Sequence, residues 1–133
     1  MTALAADRNT PYQDGYDISV KVAAATTIYA GSIVMANASG YAIPGATATG
    51  LVCLGRAEEA VTNAGSAGDE SLAVRRGKAF KFANDGGDAV VQADLGKTCY
   101  ITNDQTVSHT ATGKTAAGKV LGVEADGVWV FIT

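Results

Sequence analysis

Ala117-Gly118-Lys119-Val120-Leu121-Gly122-Val123-Glu124-Ala125-Asp126-Gly127-Val128-Trp129-Val130-Phe131-Ile132 reads as a β-hairpin, and that reading sets the fold class. Two strand-like runs, 117–124 and 128–132, flank Ala125-Asp126-Gly127. Asp-Gly supplies the positive φ that tight hairpin turns need, so the chain reverses here between two strands. Trp129 sits between Val128 and Val130 in an alternating run, with Phe131 on the opposite parity. This pattern reads as a core or interface anchor.

The same texture extends upstream. Sixteen glycines cut the chain into short pieces rich in Val, Ile, Thr and Tyr, and no window sustains a helical period. Asp17 to Val22 alternates, with Ile18, Val20 and Val22 on one side. Ser32 to Ala36 and Tyr41 to Ile43 form a pair around Ala38-Ser39-Gly40, and Leu51 to Arg56 is an apolar run expected to be covered on both faces. Ser71 to Ala83 is the longest candidate strand, with Leu72, Val74, Phe80 and Phe82 on one parity and Gly77 read as a bulge or bend rather than an end. The expectation is an all-β fold: a small compact β-barrel or β-sandwich of short strands spanning residues 16–133.

Two pairs of short segments echo each other within this domain, as either an internal repeat or chance similarity of glycine-centred turns would produce. Ala30-Gly31-Ser32-Ile33-Val34-Met35 matches Leu95-Gly96-Lys97-Thr98-Cys99-Tyr100, and Gly50-Leu51-Val52-Cys53-Leu54-Gly55 matches Gly118-Lys119-Val120-Leu121-Gly122-Val123, at offsets of 65 and 68 residues. Two such halves would close a barrel or sandwich with pseudo-twofold character. Residues 1–15 differ from the rest: polar, without period, carrying Pro11 and Gly15, they read as an extended N-terminal arm. Within an assembly, such an arm can order against a neighbouring subunit.

Composition narrows the function. A net charge of -3 argues against nucleic acid, which demands a basic field. Only 17% of residues are charged, which suits a surface that packs against neighbours. Met1 to Thr10 lacks a basic start followed by an apolar run, and nothing approaches 18 consecutive apolar residues, so neither a secretory signal nor a membrane-spanning helix is expected. Cys53 and Cys99 each sit in an apolar run and read as reduced, buried thiols.

Candidate chemistry fails on named positions. His109 is the single histidine, without a flanking acid or a nucleophile motif, and reads as a surface loop residue. Gly96-Lys97-Thr98 and Gly113-Lys114-Thr115 lack the upstream glycine of a phosphate loop, where Val91 and Ser108 stand instead. Glu58-Glu59 and Asp69-Glu70 point to opposite sides of any strand. Asp85-Gly86-Gly87-Asp88 lacks calcium-loop spacing and reads as a turn. No cofactor or metal is expected, and the chain is read as a non-enzyme. Arg75-Arg76 is the one doubled basic pair; on a strand its members diverge, so one can face an acidic partner.

Taken together, Ala30-Gly31 with Val34, Gly40-Tyr41, Leu54-Gly55-Arg56-Ala57-Glu58-Glu59, Val74-Arg75-Arg76-Gly77, Ala93-Asp94-Leu95-Gly96-Lys97 with Cys99-Tyr100, and Asp126-Gly127-Val128-Trp129-Val130 resemble the capsid cement (head decoration) proteins of tailed phages and prophages. The resemblance implies a β-barrel-like subunit, commonly a homotrimer, on the outside of an icosahedral shell. Its partners would be the major capsid protein and its own copies, and it would be made in the bacterial host cytoplasm. The expected subunit or capsid contacts are Asp7, Arg8 and Tyr12 on the arm with Arg75 and Arg76. A carbohydrate-binding β-module and another virion part, such as a tail or head-completion subunit, are the alternatives.

Overall fold

In the computed structural model, which describes residues 2–133, ten of twelve short strands form two sheets that repeat one strand order, and the other two pair as a separate two-stranded sheet. The first half of the chain holds β1 (Asp17–Lys21), β2 (Thr26–Ile28), β3 (Ile33–Ala36), β4 (Ala42–Pro44), β5 (Val52–Ala57), β6 (Val61–Asn63) and β7 (Ser71–Arg75). The second holds β8 (Lys78–Asn84), β9 (Thr98–Ile101), β10 (Thr106–Ser108), β11 (Ala116–Glu124) and β12 (Gly127–Ile132). The first sheet runs β1-β7-β5-β3-β4, and the second runs β8-β12-β11-β9-β10 before closing into a barrel through parallel β10–β8 pairing. A parallel bridge, Val22 to Ala42, joins the outer strands of the first sheet in the same sense.

Local detail supports the repeat. Gly31 donates its N–H to the Ala57 carbonyl (2.9 Å) while Ala57 donates to Ser32 (2.9 Å); Gly96 donates to Val120 (2.8 Å) while Val120 donates to Lys97 (2.9 Å). Both glycines need positive φ, +85° and +80°, which explains why glycine opens each unit. The first match therefore holds at its offset of 65 residues.

The second match shifts. Gly55 faces Val34 across β3 and Gly118 faces Cys99 across β9, so Gly55 corresponds to Gly118 and not Gly50. Each adjoins a bulge, at Leu54 and Ala117, where the neighbouring register slips. A Cβ on either glycine would land well inside 3.0 Å of a facing strand carbonyl oxygen, that of Arg75 or Phe131. Close strand approach, not turn geometry, selects these two glycines.

The alternating parity of β7 and β8 is as expected, but the single strand 71–83 is not. Gly77, at φ +75°, separates β7 from β8 and passes the chain from one half to the other. Leu72 and Val74 fill the first core, Phe80 and Phe82 the second. β3 joins the two: Val34 packs into the first cluster, whereas Ile33 and Met35, both fully buried, pack into the second with Phe80, Ile101 and Val130. Each such burial contributes about 1.5–3 kcal/mol, and β3 ties the two clusters together by supplying side chains to both.

Trp129 is not the core anchor that the sequence left open as one of two roles. Val128 and Val130 point inward at 0% exposure, so their out-of-phase neighbour Trp129 lies on the outer barrel face, 37% exposed. Its indole N–H donates to Glu124, and the Lys81 ammonium stands 5.9 Å from its ring centroid. The hairpin forms, with Glu124 facing Gly127 across the two-residue turn Ala125-Asp126, but none of these residues takes positive φ: Gly127 opens β12, where a Cβ would come within 3.0 Å of the Phe82 carbonyl oxygen.

Candidate functional site

The arm leaves the body at a clamp built from both sides of Gly77. Arg76 donates its Nε to the Gly15 carbonyl (2.8 Å) and its backbone N–H to the Tyr16 carbonyl (2.8 Å). The Tyr16 ring lies so close over Gly77 that any Cβ there would overlap it. Lys78 places its ammonium 5.8 Å from the same ring, within cation–π range. Beside it, Arg75 donates to Asp17 (2.8 Å) and stands 3.7 Å from Glu58. That hydrogen bond and the guanidinium charge hold the Asp17 carboxyl below its ordinary pKa. Thus the acid that Arg75 meets belongs to its own chain.

Beyond the clamp, residues 2–15 are exposed throughout and form no strand. Asp7, Arg8 and Tyr12 all stand in solvent, Tyr12 at 98% and the nearby Leu4 at 75% exposure. One backbone bond, Thr10 N–H to the Arg8 carbonyl (3.1 Å), shapes this stretch. The structure therefore gathers Arg75 and Arg76 at the arm's root and leaves Asp7, Arg8 and Tyr12 free of the body. Tyr16 and Gly77 are clamp residues that sequence reading passed over; Gly77 was visible, but the aromatic ring needing its space lies 61 residues away.

A second polar cluster lies on the barrel. His109, half-exposed, places Nδ1 2.9 Å from the carboxylate of buried Asp94, which also accepts the Val91 N–H (2.9 Å). The Val91 bond, then His109, keep the Asp94 carboxyl low. Asp88 accepts the Thr110 N–H (2.9 Å) and hydroxyl (2.8 Å) and pairs with Lys114 (3.2 Å), which also donates to buried Ser108 (2.8 Å). Asp85 accepts from Gly87 (2.9 Å) and Thr102 (3.0 Å). The Asp-Gly-Gly-Asp segment is thus a turn whose carboxylates staple neighbouring loops. The His109 acid partner escapes sequence reading because it sits fifteen residues upstream.

Both cysteines are free; Cys99 is buried as expected, whereas Cys53 is only half-buried. Burial pushes the Cys53 thiol up to about 12 and the Cys99 thiol to about 11, away from the reactive thiolate. Among the described residues, no group of three or more His, Cys, Asp or Glu side chains is placed to hold a metal ion, and no helix is long and apolar enough to cross a membrane. Comparison with protein-family models, curated proteins and solved structures finds no match to this chain.

Proposed function

We propose that this chain is a virion structural protein, a cement subunit that binds the outside of an icosahedral tailed-phage capsid and stabilises it without catalysis. The observation that carries the reading is the exposed arm, clamped at Gly15–Tyr16 to a body of two fused β units. A free segment bearing Leu4 and Tyr12 at 75% and 98% exposure suits a contact made outside its own chain. The sequence resemblance to cement proteins names that outside surface as a capsid lattice. Its motifs sit at structural joints: the paired glycine turns, the Leu54 bulge, the arm clamp and the hairpin.

The mechanism is mechanical. A rigid body seats on the shell, and the arm bridges to a neighbouring major capsid protein or a second copy in a homo-oligomer, a trimer on the family pattern. Each contact is modest, and symmetric repetition multiplies it over the lattice. Arg75 and Arg76 set where the arm departs, while Asp7, Arg8 and Tyr12 make the contacts.

Deleting Met1 to Tyr12 is expected to reduce particle binding and the thermal resistance of decorated capsids, with the body still folded. Arg75→Ala with Arg76→Ala should weaken binding by freeing the root. Undiminished binding by the truncated protein would overturn the arm's role. Copy number per particle, with location by imaging, tests the capsid assignment itself.

A further inference from the structure

Beside the clamp runs an apolar groove of about 360 Å³, between β5 and the facing parts of β11 and β12. Val52, Cys53, Gly118, Phe131 and Ile132 line it, and Lys119 stands at its rim. One wall is an open strand edge. Val52 and Cys53 pair with β3, but β7 reaches only Arg56 and Ala57, so the other side of this stretch has no ladder partner. Val52 is 59% exposed there. Exposed apolar strand edges are normally covered, because they recruit another extended chain.

We infer that this groove receives the Thr2–Ala6 segment from the arm of a second copy, added to β5 as an extra strand. The inference rests on the arm being a contact element, as in the function proposed above. Thr2-Ala3-Leu4-Ala5-Ala6 contains no charge and no proline, and its one large side chain is exposed Leu4. Small residues flanking one leucine suit a groove of this size, and main-chain bonds to an open edge supply affinity in this mode of recognition. Asp7 follows directly and meets the Lys119 charge at the rim.

Chain geometry selects a second copy over the chain's own groove. The clamp cleft shares Phe131 and Thr133 with the groove, so the arm departs beside it. Nevertheless residues 2–15 stand clear of the body. Drawn out fully, the nine residues from Asp7 to Gly15 can span up to roughly 30 Å. That is on the order of the width of a domain this size, roughly 35 Å for a radius of gyration near 13 Å. A spacer that long is slack for a site next to its root and matches the distance to a neighbour.

Sedimentation of the full chain over a concentration series tests this without any capsid. The expected result is assembly into multiples of the 13.4 kDa chain. Deletion of residues 2–12, Leu4→Asp and Val52→Asp should each return the mass of one chain. Mixing the Leu4→Asp and Val52→Asp proteins should restore a two-chain species, since one keeps its groove and the other its arm. A synthetic peptide of residues 2–9 should bind the truncated protein, and about tenfold more weakly when Val52 is Asp. A single-chain full-length protein, assembly that survives truncation, or a mixture that stays single would each overturn the exchange. Particle binding is scored separately: single chains that still decorate capsids sink the exchange alone, and exchanged copies that ignore capsids sink the capsid assignment alone.

Discussion

Gly118→Ala should cost far more stability than Gly96→Ala, although both glycines belong to the repeated unit. At Gly96 the φ of +80° is the whole difficulty, since a Cβ there meets nothing within 4 Å. Holding an alanine in that left-handed conformation costs about 1–2 kcal/mol. At Gly118 the new Cβ would fall well inside 3.0 Å of the Phe131 carbonyl oxygen and at 3.0 Å from the Val130 side chain. The obstacle is backbone at the outer end of the β11–β12 ladder, where Phe131 is also paired on its other side to Ala79 of β8 and cannot swing aside without breaking register. Overpacking of that kind costs about 3 kcal/mol or more. For a chain of this length those figures correspond to falls in Tm of roughly 4–8 °C and 10–15 °C. Thermal unfolding followed by circular dichroism reads both. Asparagine, which tolerates positive φ, separates the causes further: Gly96→Asn should recover part of the loss, and Gly118→Asn should be no better than alanine. A Gly118→Ala midpoint equal to or above that of Gly96→Ala would refute the close-approach argument, and with it the equivalence of Gly55 and Gly118.

Met35→Ala removes a fully buried side chain that links β3 to the barrel, and it should cost about 2–5 kcal/mol; urea unfolding should still show one transition, and two would contradict a shared core. Cys53 and Cys99, with thiols raised to about 12 and 11, should resist alkylation near neutral pH in the folded protein and label fully in denaturant, as intact-mass measurement would record. Asp17, Asp85, Asp88, Asp94 and Asp126 all have carboxyls below the ordinary 3.8. Folded values below unfolded ones mean that their stabilisation is complete above that range and drains as pH falls through it. Acid titration of the unfolding midpoint should therefore drop below about pH 4, and Asp88→Asn should flatten the drop; a flat wild-type profile would contradict the network.

Much of the fold was legible because strands announce themselves locally. The hairpin at Ala125-Asp126-Gly127 was legible as a reversal between two alternating runs, although Gly127 answers to the facing Phe82 carbonyl and not to a positive φ; the repeat surfaced at Gly31 and Gly96 because both need positive φ in the same turn. The second repeat match slipped because Gly55 and Gly118 answer to neighbouring strands, and glycines in Gly50–Gly55 offered an equally good local alignment. β2 and β6 escaped because three residues carry no readable period; they pair only with each other. Of the candidate contacts, Asp7, Arg8 and Tyr12 were legible as polar arm, whereas the engagement of Arg75 and Arg76 with Asp17 and Gly15 was not, since the partners lie about sixty residues upstream.

Composition and spacing by themselves determined the all-β class and the polar, period-free character of residues 2–15, and hinted at two similar halves, because turn conformation and strand alternation depend on residues a few positions apart. Tertiary structure alone decided that Gly77 divides two sheets, that Trp129 faces out while Val128 and Val130 face in, and that β3 serves both cores. It also decided that an open edge of β5 lies beside the arm's root. A two-residue period says that alternate side chains differ in facing; which face meets a core, and which edge stays unpaired, depends on strands that arrive from elsewhere in the chain.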